Sequence, residues 1–261
     1  MLSSSKSVPQ NSLCSAVPRL LVSVRSWQEA MLALKGGAEI LDVKEPARGS
    51  LGMADSSVID SIAENHSLTP VVAHQKALPL SVALGEVRDW IGIQDAPRLP
   101  SLVEFAKLGL AGLGLNPDWE MDWKRVRESF DDRRTQPLRW VAVAYADHRS
   151  AVSPALDAVL DAALASDCAG LLIDTYSKSE LTLMDSVSKP DLQRVVTRCH
   201  DSGLFLAIAG RLTMAGIAEL RDVAPDIIAI RSAACLNSDR SQSVDSGRVA
   251  LFRQAICEQW G

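Results

Sequence analysis

Asp42 and Lys44 place opposite charges two residues apart in an apolar run, Ile40-Leu41-Asp42-Val43-Lys44. Because alternate residues of a strand point to the same face, both side chains are expected to project together. A carboxylate and an ammonium at the end of a buried strand are costly unless they pair or are used in chemistry. By position alone the pattern predicts a structural ion pair or a catalytic one, and both interpretations stay open.

Two further lysines and a second carboxylate stand near predicted strand ends. Lys44 ends the predicted second strand and Lys107 the fourth, while Asp174 ends the sixth and Lys178 follows four residues later. Alternate strands of a barrel contribute side chains to the same interior layer, and the strand C-termini form the working face. Five charged groups in one layer are hard to attribute to chance ion pairing, so the pattern favours catalysis.

Cations crowded into a partly desolvated pocket favour an uncharged, nucleophilic lysine amine. Such an amine forms a Schiff base with a carbonyl and turns a sugar aldehyde or ketone into an electron sink, while neighbouring acids and bases move protons. We therefore predict an imine-forming lyase or aldolase, with Lys44 as the candidate imine lysine.

The last two predicted strands are followed by small residues and arginines. Gly210 follows the seventh strand, and Arg231, Ser232 and Ala233 follow the eighth. Small residues let backbone N–H groups approach an anion, and barrels often hold phosphate between these two loops. A phosphate site is predicted here; the alternative is a simple turn glycine and a surface arginine.

Tyr145 and Asp147 end the predicted fifth strand and are expected to face the same end of the barrel. We predict that both contribute to the substrate site. The alternative for Asp147 is that it only caps the turn that follows the strand.

Strand-like and helix-like segments alternate about eight times along the chain. The predicted strands are 19–24, 38–44, 70–73 with 80–84, 102–107, 138–144, 169–174, 204–209 and 226–230. Ser26 is expected to cap a helix over 27–35 with Glu29 as its capping-box partner, and 85–93 is expected to be helical. This alternation predicts an α/β fold, a single (β/α)8 TIM barrel over residues 19–261, after a flexible extension at 1–18.

The composition narrows the function. The chain has 261 residues, 47% of them hydrophobic, and a net charge of −5, which disfavours nucleic acid or an anionic membrane as partner. The five cysteines are an odd number without metal-ligand spacing, so we expect a reducing cytoplasm, no metal and no cofactor. Trp119 and Trp123, at helical spacing, indicate packing or a subunit contact, and a homo-oligomer is left open.

The charged motif and its companions also resemble a known family. The segment Asp42-Val43-Lys44-Glu45-Pro46-Ala47-Arg48-Gly49-Ser50-Leu51-Gly52 is its most specific match. Lys107-Leu108-Gly109-Leu110, Ala144-Tyr145-Ala146-Asp147, Leu172-Ile173-Asp174-Thr175 with Lys178, Ala209-Gly210, and Arg231-Ser232-Ala233-Ala234-Cys235 with Asp239-Arg240 follow in the same order. Together they are similar to the (5-formylfuran-3-yl)methyl phosphate synthase family of methanofuran biosynthesis, also called 4-(hydroxymethyl)-2-furancarboxaldehyde-phosphate synthase.

The resemblance implies a TIM-barrel carbon–oxygen lyase that condenses two molecules of glyceraldehyde 3-phosphate and releases phosphate and water. It implies that Lys44 forms the Schiff base and Lys107 accepts the proton, with Asp42, Asp174 and Lys178 completing the site. The chain departs from the family at Gly85-Glu86-Val87-Arg88-Asp89, where the family has Gly-Asp-Val-Pro-Tyr. The alternatives are another Schiff-base triose-phosphate aldolase and a non-catalytic sugar-phosphate-binding barrel.

Overall fold

Each strand is a short apolar run whose side chains are buried on both faces. Strand β5 spans Arg139–Tyr145, and every side chain in it after Arg139 is buried. Parallel strands covered by helices show such continuous runs, because neither face meets water. The computed structural model describes residues 17–68, 78–93, 95–177 and 181–261.

The eight described strands form a closed parallel barrel in chain order. Strand β8 pairs with β1 in parallel, with Leu20 beside Ile228, and this pairing closes the ring. The strands are β1 (Arg19–Val24), β2 (Ile40–Val43), β3 (Leu80–Glu86), β4 (Val103–Gly109), β5 (Arg139–Tyr145), β6 (Cys168–Asp174), β7 (Phe205–Ile208) and β8 (Ile227–Ile230). The predicted (β/α)8 barrel is confirmed. The predicted extension at 1–18 lies outside the described residues up to position 16, as does the predicted strand segment 70–73.

The helices lie between the strands along the chain. They are α1 (Trp27–Lys35), α2 (Ser56–Leu68), α3 (Trp119–Asp131), α4 (His148–Ala151), α5 (Leu156–Ala165), α6 (Leu183–Ser186), α7 (Lys189–Asp201), α8 (Met214–Glu219) and α9 (Ser246–Trp260). Within the described ranges, every helix is too short or too polar to span a bilayer.

One of the two hydrogen bonds of the predicted capping box is present at the N-terminus of α1. The Ser26 hydroxyl accepts the N–H of Glu29 at 3.2 Å. The Glu29 carboxylate does not reciprocate on Ser26, and instead accepts the N–H of Arg25 at 2.9 Å. The prediction is wrong at this position because the carboxylate is also engaged by Arg231, on the loop after β8.

The core has two parts. A large cluster of aliphatic and aromatic side chains fills the space between the strands and the helices. A smaller cluster fills the barrel interior, where the rings of Phe105 and Phe205 pack edge to face with centroids 5.8 Å apart. This interior plug closes the lower part of the barrel and leaves the strand C-termini as the open end, which we call the mouth.

Residues 85–93 are not the predicted helix. Strand β3 continues to Glu86, and only the single 3-10 turn Val87–Asp89 follows. Gly85 has a φ of +81°, which an α-helix does not accept, and its N–H donates to the Leu51 carbonyl at 2.8 Å. This irregular backbone interrupts the register between β3 and β4 and places Glu86 under the mouth.

Gly170 on β6 tests how tightly the barrel is packed. A Cβ at this position would lie 2.5 Å from the ring of Phe205 and 2.6 Å from its carbonyl oxygen. Because backbone cannot move aside cheaply, we expect Gly170→Ala to lower the free energy of unfolding by about 1–3 kcal/mol, as measured by urea denaturation.

The matched control is Gly216→Ala in α8. There the nearest atom to an added Cβ, the Thr213 hydroxyl, lies at 3.6 Å, which is ordinary contact. Alanine is expected to be neutral or to stabilise this helix by up to about 1 kcal/mol. Equal unfolding midpoints for Gly170→Ala and Gly216→Ala would show that Phe205 leaves room for a Cβ at position 170, and the prediction would be wrong.

Candidate active site

Asp42 and Lys107 form a buried ion pair inside the barrel, close to the mouth. Asp42 lies on β2 between Ser23 of β1 and Ser81 of β3, which are its register partners. The Ser23 hydroxyl donates to Asp42 Oδ2 at 3.0 Å, and Lys107 Nζ donates to Ser81 Oγ at 3.0 Å. The two charges are 1% and 4% exposed, so these serines replace the water that each would otherwise bind.

The hydrogen-bonded ammonium at Asp42 is therefore that of Lys107 on β4, 65 residues away in the chain. Burial alone would raise the pKa of the Asp42 carboxyl, but the charges of Lys107 and Lys44 outweigh it and hold that pKa below its usual range. Asp42 is a carboxylate at neutral pH, and Lys44 lies near enough for its charge to contribute.

Lys44 and Asp174 line the same cavity at the mouth. Lys44 directly follows β2, and its N–H donates to the Val24 carbonyl at 3.1 Å, so the backbone still follows the sheet. Asp174 ends β6 and is 3% exposed; its Oδ1 accepts the N–H of Thr175 at 2.7 Å. The predicted convergence of Lys44, Lys107, Asp42 and Asp174 is observed, whereas Lys178 lies outside the described residues.

A turn after β2 crosses the mouth and contacts Asp174. The Ser50 hydroxyl lies 3.2 Å from Asp174 Oδ2 and 2.9 Å from the Thr175 carbonyl oxygen. The turn is closed by the Glu45 N–H, which donates to the Gly52 carbonyl at 2.7 Å. Ser50 belongs to the segment 42–52 that carries the family resemblance, but its position in the sequence does not predict a contact with β6.

The cavity holds about 910 Å³ of empty space, counting space open to solvent. Cationic side chains outnumber carboxylates among the described residues that line it. The cations are Lys44, Lys107, Arg211, Arg231 and Arg240, and the carboxylates are Asp42 and Asp174. Such a lining suits an anionic ligand.

The predicted phosphate residues also line this cavity: Gly210, Arg231, Ser232 and Ala233. Gly210 has a φ of +103°, and a Cβ there would lie 3.0 Å from the methyl group of Thr175. Its carbonyl accepts the Leu183 N–H at 2.9 Å, which joins the loop after β7 to the loop after β6. A 3-10 turn, Ser232–Ala234, follows Arg231.

The guanidinium of Arg231 is fully engaged within the protein. Nη1 donates to the Ser23 carbonyl at 3.0 Å and to Glu29 at 2.5 Å, and Nη2 donates to Glu29 at 3.3 Å and to the Gln242 carbonyl at 3.0 Å. Nε donates to the Arg240 carbonyl at 3.0 Å. Five N–H groups meet five acceptors, so the expected phosphate contact through this side chain is corrected to a structural anchor.

Tyr145 and Asp147 do not line the cavity described above. The Tyr145 hydroxyl donates to Glu86 Oε1 at 2.6 Å, and its ring packs edge to face on Tyr176. The Asp147 carboxylate accepts the backbone N–H groups of Tyr176 and Ser177 at 2.7 and 2.8 Å. Both residues support the loop after β6 and are one layer removed from the cavity.

Glu86 is a buried acid that sequence reasoning recorded only as a departure from the family pattern. Burial raises the pKa of this carboxyl, and the Tyr145 hydroxyl and the Ala111 N–H only partly oppose the shift. An added Cβ on Gly109 would lie 2.1 Å from Glu86 Oε2 and 2.4 Å from the Tyr145 oxygen. The glycine that ends β4 is therefore required by this network.

Solved structures define the class of the fold. 3-Hexulose-6-phosphate synthase of Salmonella typhimurium aligns with a TM-score of 0.56 and 11% identity, covering 92% of this chain and 99% of that one. Phosphoribosyl anthranilate isomerase of Thermotoga maritima aligns with a TM-score of 0.55, 11% identity and the same coverage. At this identity the likeness concerns the fold alone. The protein is a TIM barrel with a charged cavity at its mouth.

Sequence relatives define the family. A model of the 4-HFC-P synthase family matches residues 20–253. The (5-formylfuran-3-yl)methyl phosphate synthase of Archaeoglobus fulgidus is 33% identical over 247 residues, covering 91% of this chain and 99% of the relative. The enzyme of that name from Methanothermobacter thermautotrophicus is 34% identical over 245 residues, covering 92% and 96%. The chain belongs to the 4-HFC-P synthase family.

Glu29 must be ionised to pair with Arg231, so we predict that the folded state loses stability at acid pH. Burial alone would raise the pKa of Glu29, but its bonds and charge contacts with Arg231 and Arg25 outweigh burial and lower it. Because the folded-state pKa lies below the unfolded one of about 4.3, the pair stabilises the fold fully above that pH. This stabilisation is lost as the pH falls through the folded-state pKa.

We therefore expect Glu29→Gln to lower the free energy of unfolding by on the order of 3 kcal/mol at pH 7. The difference from wild type should shrink as the pH falls from about 4.3 through the lower folded-state pKa, at which Glu29 of the folded wild type takes up a proton. Urea denaturation between pH 7 and pH 3 measures this, with the exposed Glu64→Gln as control. A difference that stays constant over the whole range would contradict the assignment.

Proposed function

We propose that this chain is a carbon–oxygen lyase that acts on triose phosphates. It condenses two molecules of glyceraldehyde 3-phosphate to 4-(hydroxymethyl)-2-furancarboxaldehyde phosphate and releases phosphate and water, in methanofuran-type cofactor biosynthesis. The observation that carries the proposal is the buried Lys44 in a cation-rich cavity beside the Asp42–Lys107 pair. Membership of the 4-HFC-P synthase family supports the same activity.

Lys44 is the proposed covalent residue. Its amine attacks the aldehyde carbon, water leaves, and the resulting protonated imine withdraws electrons from the neighbouring carbon. An attacking amine must be uncharged, so Lys44 must give up its ammonium proton before it attacks. The 9% exposure of Lys44 also limits competing hydrolysis by bulk water.

Proton transfers are assigned to the groups around the imine. Lys107 is held by Asp42 and Ser81, and it is proposed to transfer one ammonium proton to Asp42 and then, as an amine, to accept the proton from the carbon next to the imine. Asp174, held by Ser50, orients the substrate or exchanges protons with it. Lys178 is proposed as a second proton shuttle on the basis of the sequence resemblance.

The phosphate end of the substrate is assigned to the loops after β7 and β8. Gly210, Ser232 and Ala233 line this side of the cavity, and their small side chains allow backbone N–H groups to approach an anion. The reaction is proposed to take place in the cytoplasm, where the cysteines that are free among the described residues stay reduced.

Borohydride trapping tests the covalent step. We expect incubation with glyceraldehyde 3-phosphate and borohydride to give one adduct on Lys44, located by peptide mass spectrometry, and no adduct in Lys44→Arg. Lys35→Arg, at the exposed end of α1, is the matched control and should retain the adduct. Without borohydride, the mixture should develop the absorbance of a furan aldehyde.

Two outcomes would contradict this function. An adduct on another lysine, or its persistence in Lys44→Arg, would remove Lys44 from the covalent role. A ketose or hexose phosphate product with no furan absorbance would favour a Schiff-base aldolase instead.

Ser50 is expected to act by positioning Asp174. Ser50→Ala removes the hydroxyl that lies 3.2 Å from Asp174 Oδ2, so one of the contacts that orient this carboxylate is lost. We expect kcat to fall roughly tenfold to a hundredfold, with KM little changed and the Lys44 adduct still formed. Steady-state kinetics beside the exposed control Ser101→Ala measure this, and an unchanged kcat would show that Asp174 needs no such support.

A further inference from the structure

Two arginines follow β8 and line the cavity, but they differ in how their N–H groups are used. Arg231 has every N–H donating to a protein acceptor. Within the described residues, Arg240 donates only through Nη2, to the Pro46 carbonyl at 2.9 Å and to the Gly49 carbonyl at 2.7 Å. Within the described part of the chain, Nε of Arg240 is buried and has no acceptor.

A buried N–H on a charged group is costly without an acceptor. Burial lowers the pKa of the Arg240 guanidinium, and the nearby charge of Asp174 opposes this shift, which places the group in a dehydrated position by the carboxylate. Arg240 lines the cavity, and its Nη1 makes no hydrogen bond within the described residues, so a ligand in the cavity can supply an acceptor to this guanidinium.

The charge of the surroundings indicates which acceptor fits. The described cavity lining carries five cationic side chains and two carboxylates, and Glu29 behind Arg231 adds a third negative charge. Cations outnumber carboxylates in the described lining even with Glu29 counted, so an anionic group fits this cavity. A phosphoryl group carries about two negative charges and several acceptor oxygens, and guanidinium groups bind such groups strongly.

We propose that Arg240, and not Arg231, is the side chain that binds the phosphate group of the substrate. The proposal deepens the proposed function, and it concerns the ligand-binding residue, not the reaction. Arg231 acts through Arg240, because its Nε holds the Arg240 carbonyl at 3.0 Å and thereby fixes the backbone from which the second arginine extends.

The same contact joins phosphate binding to the imine lysine. Pro46 and Gly49, whose carbonyls accept from Arg240, belong to the turn that begins directly after Lys44. A phosphate group bound by the Arg240 guanidinium would therefore lie at a fixed distance from the turn that follows Lys44. This arrangement selects phosphorylated aldehydes over unphosphorylated ones of the same length.

Binding of inorganic phosphate tests the assignment without turnover. Titration calorimetry on the wild-type protein should give a saturable site, and Arg240→Gln should weaken it roughly tenfold to a hundredfold. Arg240→Lys keeps the charge and should retain part of the affinity. Arg98→Gln, which removes the same charge from an exposed position, should bind phosphate as wild type does.

Imine trapping shows whether Arg240→Gln is still folded and whether its loss of affinity concerns the phosphate group. Unphosphorylated glyceraldehyde should label Lys44 equally in wild type and Arg240→Gln, whereas glyceraldehyde 3-phosphate should require a higher concentration in the variant. Wild-type phosphate affinity in Arg240→Gln, or no saturable phosphate site in wild type, would overturn the proposal. Loss of phosphate affinity in Arg240→Gln, together with no furan product from the wild-type protein, would uphold the role of Arg240 and reject the proposed reaction.

Discussion

The ion pair between Asp42 and Lys107 is the interaction on which the mouth of this barrel depends. Both groups are withdrawn from water, and a buried pair of this kind is seldom more stable than well-packed apolar side chains. Ser23 and Ser81, which flank Asp42 in the sheet, satisfy the remaining hydrogen bonds. Removal of Asp42 or Lys107 would leave the other as an uncompensated buried charge. The strand register around Asp42 therefore cannot change without disrupting the charged groups at the mouth.

The turn after β2 joins this pair to the opposite side of the barrel. It starts at Lys44, contacts Asp174 through Ser50, and is held by Arg240 from the loop after β8. A Cβ on Gly52 would lie 2.3 Å from the Glu45 carbonyl oxygen, so the turn closes only with glycine there. One short segment therefore sets the relative positions of an amine, a carboxylate and a guanidinium from three different strand ends.

The two arginines after β8 show where prediction from the sequence stops. Arg231 directly follows an apolar strand, and by its position it is the better candidate for phosphate binding. Arg240 stands out in the sequence only as part of the family motif. Their roles depend on Glu29, 202 residues from Arg231, whose carboxylate occupies the guanidinium. The predicted site residues Tyr145 and Asp147 likewise bind partners outside the cavity lining, Glu86 at the end of β3 and the backbone of Tyr176 after β6.

The alternation of strands and helices, the barrel, and the charged residues at or near the ends of β2, β4 and β6 could be predicted from the sequence. These follow from burial periodicity and local turn chemistry, which neighbouring residues encode. Three features depend on tertiary contacts: Asp42 bonds Lys107, Gly85 lies in a strand irregularity instead of a helix, and Nε of Arg240 lacks an acceptor among the described residues. The physical reason is that hydrogen-bond partners are distributed by closure of the barrel, which brings together residues far apart in the chain.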